Sequence, residues 1–166
     1  MTTPIPLKIA YIGGGSRDWA RKLMIDLALC PDLTGEVALY DIDEGALRVA
    51  RRNMKAFKIT LICRKSNLLE RAVPADVILA NLPYVPERYA INRAAEHEPG
   101  HAIFGGKDGL NVYRRLWEQI AGQAEKPLFV LTESLPPQHQ DLAVLAKAAG
   151  YTLHAAEDFI QVFKRA

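Results

Sequence analysis

Leu7-Lys8-Ile9-Ala10-Tyr11-Ile12-Gly13-Gly14-Gly15-Ser16 is a short apolar run that breaks off at three glycines and a serine. A run of this length, ended so abruptly, reads as a strand entering a tight turn. From Arg17 the period changes. Trp19, Leu23 and Leu27 fall four apart, with Ala20 and Met24 beside them, giving one apolar helical face. Ser16 is placed to cap that helix, and Pro31 and Gly35 punctuate its end.

The same alternation continues outward. Glu36–Tyr40 reads as a second strand that stops at Asp41-Ile42-Asp43. Asp43 can cap a helix through Leu47, Ala50 and Met54, whose outer face carries Arg48, Arg51, Arg52 and Lys55. Those cations read as a solvated face. Lys58–Cys63 and Asp76–Ala80 read as strands three and four. Helices fit Glu87–Glu96 and Gly109–Ala121, Leu128–Leu131 is a fifth strand, and Gln138–Ala149 is a helix stopped by Gly150. Glu98–Lys107 and Ser134–Pro137 read as loops. Thr152–Ala156 and Phe159–Lys164 lie close enough for a hairpin. Strands alternating with helices predict a three-layer α/β sandwich on a mostly parallel sheet, and the hairpin adds one antiparallel strand.

The chain has 166 residues, enough for a single domain over 1–166. It is 49% hydrophobic and 24% charged, which argues against disorder. A net charge of +2 gives no reason to expect nucleic acid or an anionic membrane as partner. No apolar run approaches the roughly 18 residues of a membrane span, and the start of the chain lacks a secretory pattern. Cys30 and Cys63 make no metal spacing, and the four histidines have no cysteine partner in the sequence. A reduced, cytoplasmic-type protein without a metal site is expected.

Glycines between a strand and a helix let backbone N–H groups approach a ligand closely, and the helix N-terminus favours a phosphate or carboxylate. The dinucleotide pattern wants a third glycine where Asp18 stands. Asp41, 26 residues after Gly15, ends the second strand, where a carboxylate binds ribose hydroxyls. The plainer alternative is a structural turn followed by a helix-capping acid.

Lys8–Asp43, with Ile9–Ser16, Trp19-Ala20-Arg21, Leu23-Met24, Asp26-Leu27-Ala28 and Leu39–Asp43, resembles the start of family-4 glycoside hydrolases, in the α-galacturonidase or α-galactosidase branch. Those enzymes bind NAD and a divalent metal. The resemblance implies that Gly13, Gly14, Gly15 and Ser16 line a pyrophosphate and that Asp41 reaches the adenosine ribose. It covers about the first quarter of the chain, so glycosidase activity is not expected.

Asn81-Leu82-Pro83-Tyr84 follows strand four directly. The Asn81 side-chain carbonyl can accept a hydrogen bond from an amino or amide nitrogen, and the next backbone carbonyl can accept another. Pro83 restricts Leu82 to extended geometry, and Tyr84 can stack on a planar group. A nitrogen held this way is positioned for attack on a methyl group, with catalysis by orientation. A Pro-containing strand-to-helix turn is the alternative.

Gly45–Ala166 resembles the catalytic domain of release-factor glutamine methyltransferases. The matching residues are Ala46-Leu47, Val49-Ala50-Arg51, Asn53, Asn67-Leu68-Leu69, Asn81–Pro86, Glu98-Pro99 and Phe104-Gly105-Gly106 ahead of Asp108-Gly109-Leu110 and Tyr113. The resemblance implies S-adenosylmethionine as cofactor, Asn67 near the adenine, and Asn81, Pro83 and Tyr84 at the reacting nitrogen. It also implies strand order 3-2-1-4-5-7-6 in a Rossmann-like sandwich, the last-entered strand antiparallel. Leu82 departs from the usual Asn-Pro-Pro-Tyr, and Tyr11 stands where that family carries an acid. Release-factor binding is not expected without the family's helical domain. The two resemblances meet near Asp41–Glu44, with an NAD-type segment 1–43 and a methyltransferase-type segment 44–166. The reading is an engineered chimera that binds NAD with little or no turnover. An S-adenosylmethionine-dependent N-methyltransferase of the protein-glutamine type is the alternative.

Overall fold

The computed structural model describes residues 4–13, 19–57, 62–90 and 99–166. Among these residues seven strands form one sheet in the order β3-β2-β1-β4-β5-β7-β6, the order the sequence predicts. They are β1 (Ile5–Ile12), β2 (Leu33–Asp41), β3 (Ile62–Lys65), β4 (Val77–Ala80), β5 (Phe129–Glu133), β6 (Tyr151–Glu157) and β7 (Ile160–Arg165). The helices are α1 (Trp19–Leu29), α2 (Glu44–Phe57), the short α3 (Gly100–Ile103), α4 (Asn111–Ala121) and α5 (His139–Ala148). The chain divides into two compact units, residues 1–79 and 80–166.

In the first unit β1 and β2 pair in parallel from Ile5↔Leu33 to Ile12↔Tyr40, and β2 pairs in parallel with β3. Strand β2 begins earlier than its apolar run suggests, and Gly35, read as punctuation, lies within it opposite Leu7. Tyr11, Ala20 and Leu39 form a buried cluster, with Leu23, Val37, Ala50, Cys63 and Leu79 packed against it. Leu47 is fully buried on the inner face of α2, a burial that contributes roughly 1.5–3 kcal/mol. On the outer face Arg48, Arg52 and Lys55 are exposed, as predicted, while Arg51 reaches Glu44 and the Cys63 carbonyl. Burial pushes the Cys63 thiol up, the opposite of an activated thiolate. Of the predicted strand Lys58–Cys63, residues 58–61 lie outside the described residues.

In the second unit β7 runs antiparallel to both β5 and β6, which makes the predicted hairpin. Its turn holds Asp158 at φ +48, a conformation that aspartate tolerates better than most residues. Trp117 of α4 is buried against Tyr151 and Phe163, with ring centroids 5.4 and 5.2 Å away. Gln161 is fully buried and satisfied: its carbonyl accepts from the Thr132 and Ser134 hydroxyls, both at 2.9 Å. Its amide donates to the Phe159 carbonyl and meets His139 Nε2 at 2.5 Å. That pairing fixes β7 to the start of α5.

Two readings are corrected here. Residues 87–90 of the predicted helix Glu87–Glu96 are not helical: the Tyr89 N–H closes a turn on the Pro86 carbonyl at 2.9 Å; residues 91–96 lie outside the described residues. The stretch Glu98–Lys107, read as loop, contains α3 and an isolated parallel bridge from Phe104 to Val85.

Candidate functional site

The first unit brings its candidate residues to the carboxyl ends of β1, β2 and β3. β1 ends in Gly13, left-handed at φ +82, whose N–H donates to the Tyr40 carbonyl at 2.9 Å. Gly14, Gly15 and Ser16 lie outside the described residues. Asp41 closes β2. Its Oδ1 accepts the Asp43 N–H at 2.8 Å, and Asp43 Oδ1 in turn accepts the Gly45 N–H at 2.6 Å. Asp43 therefore caps α2 as the sequence predicts, and Asp41 holds the cap in place.

Asn67 is brought beside Asp41. The Asp41 carbonyl accepts the Ser66 N–H at 2.9 Å, which fixes the exit of β3 next to the end of β2. The Asn67 amide donates to Glu70 Oε1 at 2.5 Å. The next residue, Leu68, is buried at φ +54, a region that bulky side chains rarely adopt. Ser66 maintains it: its hydroxyl donates to the Leu68 carbonyl at 2.8 Å and accepts the Arg71 N–H at 3.0 Å. Such local strain costs about 1–3 kcal/mol and collects at functional sites. Nothing in the sequence flags the left-handed backbone at Leu68.

In the second unit Asn81–Tyr84 leaves β4 directly, as predicted. Leu82 is buried, while Asn81, Pro83 and Tyr84 are half-buried. Among the described residues no hydrogen bond engages the Asn81 side chain. Tyr84 is gripped at both ends. Its hydroxyl donates to Glu133 Oε1 at 2.9 Å, and its carbonyl accepts from Gln138 Nε2 at 2.8 Å.

The segment around Gly105–Gly109 lies against this loop. The Val85 N–H donates to the Ile103 carbonyl and the Val85 carbonyl accepts the Gly105 N–H, both at 3.0 Å. Gly109, at φ +81, approaches so closely that a Cβ there would lie 2.0 Å from the Tyr84 carbonyl oxygen. Glycine is therefore required by both conformation and space. Gln138 donates to the Asp108 carbonyl as well, at 2.8 Å, and its own carbonyl accepts the Leu135 N–H at 2.9 Å. From below, the buried Tyr113 hydroxyl donates to the Glu133 carbonyl at 2.6 Å, with the Ala80 carbonyl 3.0 Å away. Burial pushes the Tyr113 phenol far up, so it stays protonated. The Arg114 guanidinium beside Asp108 holds that carboxyl down at about 2. Glu133 and Gln138 escape a motif reading because they pair with Tyr84 across 49 and 54 residues.

Among the described residues no group of three or more His, Cys, Asp or Glu could hold a metal ion. No described helix is long and apolar enough to cross a membrane.

Comparison with known proteins finds both halves of the sequence resemblance. The family 4 glycosyl hydrolase model matches residues 8–71. An alpha-galacturonidase of Thermoanaerobacter italicus is 64% identical over 106 residues, covering 57% of this chain and 23% of that protein. A release factor glutamine methyltransferase of Bacillus cereus is 33% identical over 150 residues, covering 86% of this chain and 51% of its own length. The chain thus spans about half the length of that methyltransferase. Among solved structures, M. capricolum TrmK in complex with S-adenosyl-homocysteine superposes with a TM-score of 0.59 at 14% identity, covering 97% of this chain and 62% of that one. That likeness is one of fold: the chain has the Rossmann-like fold of methyltransferases.

Proposed function

We propose that this chain is a cofactor-binding methyltransferase module of the S-adenosylmethionine type, whose Asn81–Tyr84 loop receives the nitrogen of a planar amide. The clamped loop carries the reading. It offers the Asn81 side-chain carbonyl as an acceptor that no protein donor uses among the described residues. The similarity to release factor glutamine methyltransferases over most of the chain supports it, as does the fold shared with a protein solved with S-adenosyl-homocysteine.

The residues present fit the cofactor at one end better than at the other. Asp41 presents a carboxylate at the end of β2, fixed at Oδ1 by the Asp43 N–H, which suits two ribose hydroxyls. Asn67, fixed beside it, would line the adenine. Tyr11, however, is buried in the core cluster and supplies no charge for the methionine ammonium. When bound, the cofactor supplies an activated methyl group. The chain's own residues do the positioning: Asn81 accepts the amide N–H, Pro83 sets the direction of the Leu82 carbonyl, and the Tyr84 ring supports the amide plane.

The test is a calorimetric titration of S-adenosyl-homocysteine into the parent chain and into Asp41→Ala. Losing a charged acceptor costs on the order of 1.5–3 kcal/mol, so Asp41→Ala should bind at least tenfold more weakly. Equal affinity would overturn the placement of the ribose. The similarity to alpha-galacturonidase favours a second reading, NAD held by Gly13–Ser16. NAD is therefore titrated alongside.

A further inference from the structure

We propose that Glu133 and Gln138 are positioning residues that hold the Asn81–Tyr84 loop ready before any substrate arrives. The inference rests on the methyl-transfer reading above and adds two residues to its machinery. Tyr84 is the last residue of the loop, and both its polar ends are occupied: Glu133 Oε1 takes the hydroxyl and Gln138 Nε2 holds the carbonyl. The Glu133 backbone and the Gln138 side chain are themselves held. The Tyr113 hydroxyl accepts the Glu133 N–H at 3.2 Å and donates to its carbonyl. Gln138 uses both amide hydrogens and its carbonyl at once, on Tyr84, Asp108 and Leu135.

The Tyr84 carbonyl is thus engaged by Gln138, while the Asn81 side-chain carbonyl keeps its lone pairs for a substrate. The Tyr84 ring is held from its backbone and its hydroxyl together. A planar amide meets a surface already set, so little ordering entropy is lost on binding. Gln138 belongs to a 3-10 turn, Pro136–Gln138, where two prolines restrict the backbone that carries it.

Amide hydrogen exchange on the full chain tests this. The reporters are Val85, Gly105 and Asn111, whose N–H groups bond to Ile103, Val85 and Gly105; Val130 and Phe163 report on the core. Gln138→Met should speed exchange at the three reporters by roughly tenfold, with Val130 and Phe163 unchanged. Glu133→Leu should do the same, and Glu133→Gln, which keeps an acceptor for the Tyr84 hydroxyl, should restore the parent rates. Uniform acceleration at loop and core alike would reduce both residues to ordinary structural support, and unchanged reporters would overturn the proposal. If Gln138→Met does not fold, Tyr84→Phe removes the hydroxyl alone and carries the same comparison. S-adenosyl-homocysteine titrated into the parent reads the methyltransferase assignment separately. Its failure to bind would remove that assignment and leave the exchange result standing.

Discussion

Gly109 and Gly150 both have positive φ, +81 and +91, yet their surroundings differ. A Cβ on Gly150 meets nothing within 4 Å, whereas one on Gly109 meets the Tyr84 carbonyl oxygen and Gln138 Nε2. Gly150→Ala should therefore cost only the left-handed backbone, about 1–2 kcal/mol. Gly109→Ala adds displacement of the loop and should cost roughly 2–5 kcal/mol. Urea denaturation of both variants checks this, and equal losses would contradict the close approach. Asp108 gives a pH prediction. Its carboxyl is held at about 2, against an ordinary 3.8, chiefly by the Arg114 hydrogen bond. The folded value is the lower one, so its contribution is complete above the ordinary value and fades as pH falls from about 4 towards 2. The group is mostly exposed, so the contribution is small. A carboxyl NMR titration should place Asp108 near the bottom of that window and Arg114→Met should move it up; an unmoved midpoint would exclude Arg114 as the cause. At this scale the sequence singles out Asn81, Pro83 and Tyr84 as candidates because they stand within one four-residue stretch. Glu133, Gln138 and the left-handed backbone at Leu68 are not singled out, since what makes them matter is a partner far along the chain or a dihedral angle.

Elements whose sequence period is unopposed form where the period says. The run Ile9–Ile12 becomes the buried end of β1, and the apolar stripe Tyr113, Leu116, Trp117 and Ile120 becomes the buried face of α4. The Thr152–Lys164 hairpin was legible from spacing, but the irregularity between Leu153 and Ala155 was not. The period misleads at Glu87–Ala90, where the Tyr89 N–H closes a local turn on the Pro86 carbonyl. Helix propensity is a weak preference per residue and does not prevent such a turn. Tyr113 ties α4 to the ends of β4 and β5 with a single hydroxyl. Tyr113→Phe leaves those buried carbonyls short of a donor and should destabilise the chain by about 1–3 kcal/mol. Thermal unfolding measures it, and a variant as stable as the parent would show that the hydroxyl is dispensable.

At the scale of the whole molecule, the strand order 3-2-1-4-5-7-6 followed from the terminal hairpin together with the methyltransferase resemblance. The choice of cofactor did not follow, because the two resemblances draw on different ligands. The Gly13–Ser16 segment argues for a pyrophosphate, while Asn67 and Asn81–Tyr84 argue for S-adenosylmethionine. Local periods stay in phase across Asp41–Glu44, where Asp41 holds the cap of α2. We therefore propose that segments 1–43 and 44–166 unfold as one cooperative domain. Hydrogen exchange against urea should give the two segments a common opening free energy, and separate transitions would contradict it. The central claim, a methyltransferase-type cofactor site, is tested most directly by one competition measurement: S-adenosyl-homocysteine and NAD titrated calorimetrically against the same chain, singly and together. S-adenosyl-homocysteine should bind at one site per chain and NAD should fail to displace it. Binding of NAD with none of S-adenosyl-homocysteine would contradict the account.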